Sequence, residues 1–109
     1  YSNEAKQEML GVSPQLLNKF GAVSEEVAVA MAQGALAACQ ADISLAITGI
    51  AGPTGGTAEK PVGTVWLAIN NRRAKVETLL LSLHGDRARI REESILMALE
   101  KLSASLSML

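Results

Sequence analysis

The chain has one cysteine, Cys39, and one histidine, His84. A single cysteine excludes an intramolecular disulfide framework and a multi-cysteine zinc site. A single histidine excludes a His-rich metal site. No excess of positive charge is present either: ten basic residues face eleven acidic ones, for a net charge of −1. A dedicated nucleic-acid binder would carry a basic surplus. No apolar run approaches the roughly 18 residues that span a bilayer. The opening Tyr1-Ser2-Asn3-Glu4 is polar and acidic, unlike a secretory leader. What is present is 49% apolar and 19% charged residues over 109 positions, enough to bury a core in one small domain. The expectation is a reduced, soluble, cytoplasmic α/β domain.

Helix signals dominate the first 40 residues. Ser2 or Asn3 suits the cap of a helix over residues 2–10, and Gly11 suits its left-handed stop. Ser13-Pro14 repeats the start signal for a short helix that ends before Gly21. Ser24-Glu25-Glu26 opens a third, Ala-rich helix that runs to about Gln40. Ile43–Thr48 alternates as a strand, with Ile43, Leu45 and Ile47 on one face. A glycine-dense loop follows. Strands over 62–69 and 74–83 form a hairpin through Asn70-Asn71-Arg72-Arg73. Asp86 caps a last helix to about Leu106, in which Ile95, Leu99, Leu102 and Leu106 share one face. The order ααα-β-β-β-α fits a mostly antiparallel or mixed sheet covered by helices.

Three local patterns could carry chemistry. Thr48-Gly49-Ile50-Ala51-Gly52-Pro53-Thr54-Gly55-Gly56-Thr57 ends a strand in a loop whose glycines let backbone N–H groups approach an anion. It lacks the Gly-Lys-Ser/Thr of a P-loop. A surface loop that needs glycines for its turns is the competing reading. Arg87, Arg89 and Arg91 stand at a helix start, where arginine forks bind phosphate or carboxylate. At about 100° per residue, Arg87 and Arg91 share a face and Arg89 points elsewhere. A solvated first turn balanced by Asp86, Glu92 and Glu93 explains the same residues. Tyr1 could fold back toward Lys6, and a lysine beside a tyrosine can move a proton for a hydroxyl nucleophile. An exposed lysine is the simpler account. His84 has no Ser or Cys motif to partner it, Cys39 reads as a small core residue, and Trp66 and Met31 read as core. Asp42 and Glu59 fall in no metal-ligand spacing, so no metal is expected.

The blocks Tyr1-Ser2-Asn3-Glu4-Ala5-Lys6, Gly21-Ala22-Val23-Ser24-Glu25, Thr48-Gly49-Ile50-Ala51-Gly52-Pro53, Glu59-Lys60-Pro61-Val62-Gly63-Thr64-Val65-Trp66 and Gly85-Asp86-Arg87 occur in that order. Together they resemble the C-terminal domain of the competence/damage-inducible CinA family. Its stand-alone relatives are bacterial nicotinamide mononucleotide amidohydrolases. The resemblance implies hydrolysis of the nicotinamide mononucleotide carboxamide to nicotinate mononucleotide and ammonia, in pyridine nucleotide salvage. It implies a cytoplasmic homo-oligomer, dimeric or larger, that needs no organic cofactor and folds as a three-layer α/β/α sandwich with a mixed sheet.

By the same resemblance a serine attacks the amide carbon, assisted by Tyr1 and Lys6. The resemblance also places Thr48 and Gly49 in the substrate pocket and gives Arg87 to the substrate, at its phosphate. The family's Glu-Ser-Cys-Thr-Gly-Gly-like segment, with a strand and helix around it, precedes the block matching Tyr1. It is not among these residues, and Ser2, Ser13 and Ser24 all read as caps. The expectation is therefore an N-terminally incomplete domain that is inactive by itself. A non-catalytic nucleotide-binding or oligomerisation module is the alternative.

Overall fold

The computed structural model describes residues 2–106. Three capped helices come first. Ser2 Oγ accepts from the Ala5 amide at 3.1 Å and opens α1, Asn3–Leu10. Ser13 Oγ accepts from the Leu16 amide at 3.1 Å and opens α2, Pro14–Phe20. Ser24 Oγ accepts from the Val27 amide at 3.3 Å and opens α3, Glu25–Ala37. Each hydroxyl satisfies one of the amides that a helix start leaves without an intrahelical partner. Strands β1 (Ile43–Gly49), β2 (Thr64–Asn71) and β3 (Glu77–Ser82) follow, then α4 (Arg87–Leu106). Asp86 Oδ1 accepts from the Arg89 amide at 2.9 Å at the start of α4.

The sheet order is β1-β2-β3, and among the described residues both pairings are antiparallel. Of the mostly antiparallel and mixed sheets that the strand order allows, these three strands form the antiparallel kind. The register places Ala46 opposite Ala68 on one face and Leu45 opposite Ile69 on the other. On the first face, Ala28 and Ala32 of α3 meet Ala46 and Ala68 in one buried cluster with Val27 and Met31. Small side chains on both sides let α3 lie close to the sheet, and Ser44 Oγ donates to the Ala32 carbonyl at 2.6 Å. Helix α1 crosses α3 at Gly34, where a Cβ would stand 1.7 Å from the Leu10 carbonyl oxygen. On the opposite face, Val65, Leu67 and Leu81 pack with Ile90 and Ala98 of α4. The sheet is thus the middle of three layers, an α/β/α arrangement.

Several boundaries differ from the sequence expectation. Helix α3 stops at Ala37 rather than near Gln40. The guanidinium of Arg72 donates to the carbonyls of Leu36, Cys39 and Ala41 at 2.9, 3.0 and 2.6 Å, holding these carbonyls where the helix gives way to the turn. Cys39 is exposed rather than core, and its thiol donates to the Ala35 carbonyl at 3.2 Å. Met31 is buried as expected, and Trp66 packs half-buried against the same cluster.

Helix α4 forms where the spacing of its leucines places it. Its apolar stripe does not face the sheet: Ile95, Leu99 and Leu106 are 52%, 54% and 48% exposed. The buried side carries Ile90, Ser94, Ala98 and Ser105 instead. The Ser94 hydroxyl donates back to the Ile90 carbonyl at 2.7 Å, so it is satisfied without leaving its own helix. Small residues at this contact permit the approach to Leu67 and Val65.

Candidate functional site

Thr48 and Gly49 close β1, and Arg87 bonds the loop that follows them. Thr48 points toward the α1–α3 layer and is buried. Its hydroxyl donates to the Ala22 carbonyl at 2.7 Å, in the turn before α3. A carbonyl can only accept, so the Thr48 proton is committed there. The Thr48 oxygen keeps acceptor capacity, and toward a ligand it is an acceptor that suits an amide N–H. Gly49 closes the strand opposite Val65. A Cβ there would stand 2.8 Å from Val65 Cγ2, so the strand pairing itself requires the glycine.

The glycine loop is folded back on the sheet. Ile50 donates its amide to the Thr64 carbonyl at 2.9 Å, and Gly63 donates to the Ile50 carbonyl at 2.8 Å. Gly52 is buried at φ +80°, and a Cβ would lie 2.6 Å from Val62 Cγ1. The Gly52–Pro53 peptide is cis. Residues 53–59 beyond it are all exposed. Thr57 donates its amide to the Lys60 carbonyl at 2.9 Å, and Thr57 Oγ1 accepts from the Lys60 amide at 3.0 Å, which closes the loop's outer turn.

Arg87 reaches this loop from the other layer. Its Nη1 donates to the Gly52 carbonyl at 3.0 Å. The structure therefore ties Arg87 to the loop that begins where Thr48 and Gly49 end β1. Arg89 points elsewhere, as the helical geometry predicts, and pairs with Glu93 at 2.9 Å; Arg91, expected on the face of Arg87, is exposed. Arg87 retains further N–H donors beyond the one on Gly52, in the fork geometry that suits phosphate.

Lys6 sits on α1, which packs against α3. It is buried rather than exposed, and burial pushes its ammonium below the ordinary lysine pKa. A lysine so displaced is better matched to taking a proton near neutral pH than a solvated one. Tyr1, its expected partner, lies outside the described residues. Lys60 carries no motif of its own, although it stands in one of the matching blocks. Its Nζ donates to the Phe20 carbonyl at 2.8 Å, tying the loop to the end of α2.

An open cavity of about 400 Å³ at the end of β3 is lined by Ser82, Leu83, His84, Gly85, Arg89 and Glu93. Among the described residues, none of Lys6, Thr48, Gly49 and Arg87 lines it, so it is not the site outlined by the loop. Among the described residues, no group of three or more His, Cys, Asp or Glu could hold a metal ion. No helix among them is long and apolar enough to cross a membrane.

Fold and loop together define a three-layer α/β domain with a built, arginine-tethered glycine loop at the end of its first strand. The family described as the CinA C-terminal domain matches residues 1–106, and the chain belongs to that family. A CinA-like protein of Mycobacterium tuberculosis is 52% identical over 107 residues, which cover 98% of this chain and 25% of that protein. The nicotinamide-nucleotide amidohydrolase PncC of Enterobacter agglomerans is 47% identical over 100 residues, covering 92% of this chain and 61% of that protein. The crystal structure of the competence/damage inducible protein CihA from Agrobacterium tumefaciens superposes with a TM-score of 0.93 at 47% identity, over 95% of this chain and 64% of that one. The chain thus spans about a quarter of the CinA-like relative and under two thirds of the other two.

Proposed function

We propose that the intact protein hydrolyses the carboxamide of nicotinamide mononucleotide, releasing ammonia and nicotinate mononucleotide. The observation that carries this reading is the bond from Arg87 to the Gly52 carbonyl, in the loop that directly follows Thr48 and Gly49, with a buried lysine, Lys6, in the same small domain. The similarity to the amidohydrolase PncC supports the same chemistry.

In this reading Arg87 takes the substrate phosphate with its remaining N–H groups. Thr48 accepts a hydrogen bond from the carboxamide nitrogen. Lys6, with its pKa lowered by burial, accepts the proton of a serine hydroxyl in concert with Tyr1, and the serine oxygen attacks the amide carbon. The proton then passes to the departing ammonia, and water cleaves the resulting acyl-serine ester, releasing nicotinate mononucleotide and restoring the serine hydroxyl. The serine is expected in the family's Glu-Ser-Cys-Thr-Gly-Gly-like segment rather than among these 109 residues. The product is a small anionic nucleotide, and the working form is a cytoplasmic homo-oligomer.

Ammonia release from nicotinamide mononucleotide by the intact protein tests the reading, with Lys6→Ala as control. Turnover that depends on Lys6 supports it. Absence of turnover in the unaltered protein rejects it, and calorimetric binding without turnover would instead identify a nucleotide-binding module.

A further inference from the structure

The turn between α2 and α3 presents three consecutive backbone carbonyls, Phe20, Gly21 and Ala22. Each is taken by a side chain from a different element. Lys60 Nζ of the glycine loop donates to Phe20 at 2.8 Å, Ser24 Oγ at the cap of α3 donates to Gly21 at 2.8 Å, and Thr48 Oγ1 of β1 donates to Ala22 at 2.7 Å. The Phe20 carbonyl belongs to the last turn of α2, where carbonyls lack intrahelical partners and the helix dipole is negative. An ammonium is the fitting cap for that position.

Lys60 is also one end of a suspended segment. Residues 53–59 are exposed, and the two residues that bracket them, Gly52 and Lys60, are each fixed by a cation. Arg87 holds Gly52 to α4, in one outer layer of the sandwich; the Lys60 ammonium holds its own residue to α2, in the other. Two clips from opposite layers therefore set where the exposed span begins and ends, beside Thr48.

We propose that Lys60 is a positioning residue for this site: its ammonium clips the outgoing limb of the glycine loop to the end of α2 and so sets the stand-off of the loop from Thr48. This rests on the reading that the loop faces the substrate. Lys60 acts through the loop and need not touch the substrate.

The test uses the intact protein and two independent readouts. Lys60→Met keeps the aliphatic stem and removes the donor; Lys60→Gln is a second variant should Lys60→Met not fold. Lys60→Arg restores a cationic donor, and Lys75→Met controls for loss of an exposed lysine. Amide hydrogen exchange at Thr57, whose amide bonds the Lys60 carbonyl inside the loop, is expected to rise by about tenfold in Lys60→Met and to return toward the original rate in Lys60→Arg. The KM for nicotinamide mononucleotide is expected to rise by about tenfold with a smaller change in kcat, again recovered by Lys60→Arg. Unchanged exchange in the loop would overturn the clip, whatever the activity. Faster exchange with KM unchanged would overturn the positioning role. An unaltered protein that releases no ammonia would reject the proposed reaction, while the exchange result would still decide the clip.

Discussion

Thr48 Oγ1 and the Ala22 carbonyl lie 2.7 Å apart, joining the last buried side chain of β1 to the turn that opens α3. Thr48→Ser preserves this donor, whereas Thr48→Val keeps the shape and removes it. Leaving the carbonyl without its donor costs about 1–3 kcal/mol. Urea unfolding should place Thr48→Val below the original protein by that amount and Thr48→Ser close to it. Equal midpoints for all three would show that the bond contributes nothing to stability.

Lys6 gives a pH dependence with a definite sign. Burial lowers its folded-state pKa from the ordinary 10.5. Between the lowered value and 10.5 the unfolded chain binds more protons than the folded one, so stability rises with pH across that window. Below the lowered value the buried charge is a constant cost. Lys6→Met should remove the rise, so that the stability difference between variant and original shifts in favour of the original as pH climbs toward 10.5. A difference that stays flat with pH would contradict the burial of an ionisable Lys6.

Gly34 fixes how closely α1 can cross α3. A Cβ there would meet the Leu10 carbonyl oxygen at 1.7 Å, a backbone atom that cannot rotate aside. Gly34→Ala should therefore destabilise despite alanine's better helix propensity, by about 1–3 kcal/mol as an overpacked contact. Thermal unfolding checks this, and a variant more stable than the original would show that the two helices separate easily.

Much of the fold was legible because its signals are local. Ser2, Ser13, Ser24 and Asp86 each announce a helix start through a side chain that bonds within three residues. The hairpin was legible from two apolar runs around a polar turn. The side on which α4 packs was not, because the spacing of Ile95, Leu99, Leu102 and Leu106 reports a helix whichever side meets the sheet. The buried face is made of Ile90 with Ser94, Ala98 and Ser105, and after Ile90 its residues are small and carry little hydrophobic signal. The end of α3 escaped for another reason: Arg72 holds it from more than 30 positions away.

At the site, composition and spacing marked the glycine loop and Arg87 separately but gave no reason to join them. The bond from Arg87 to Gly52 crosses 35 positions and is visible only in three dimensions. The burial of Lys6 was likewise hidden, since it depends on the packing of α1 against α3 rather than on neighbouring sequence. Lys60 was passed over because a lone lysine in a polar loop carries no motif, and its partner, Phe20, lies 40 positions earlier.

The most direct measurement is the steady-state rate of ammonia release from nicotinamide mononucleotide by the intact protein, compared with Arg87→Ala and Lys6→Ala. The account predicts turnover in the original protein and loss of most of it in Lys6→Ala. For Arg87→Ala it predicts a KM raised by about 10- to 150-fold with kcat less affected, as for a charge-assisted bond worth about 1.5–3 kcal/mol. No ammonia from the original protein, or an Arg87→Ala variant with unchanged KM and kcat, would contradict it.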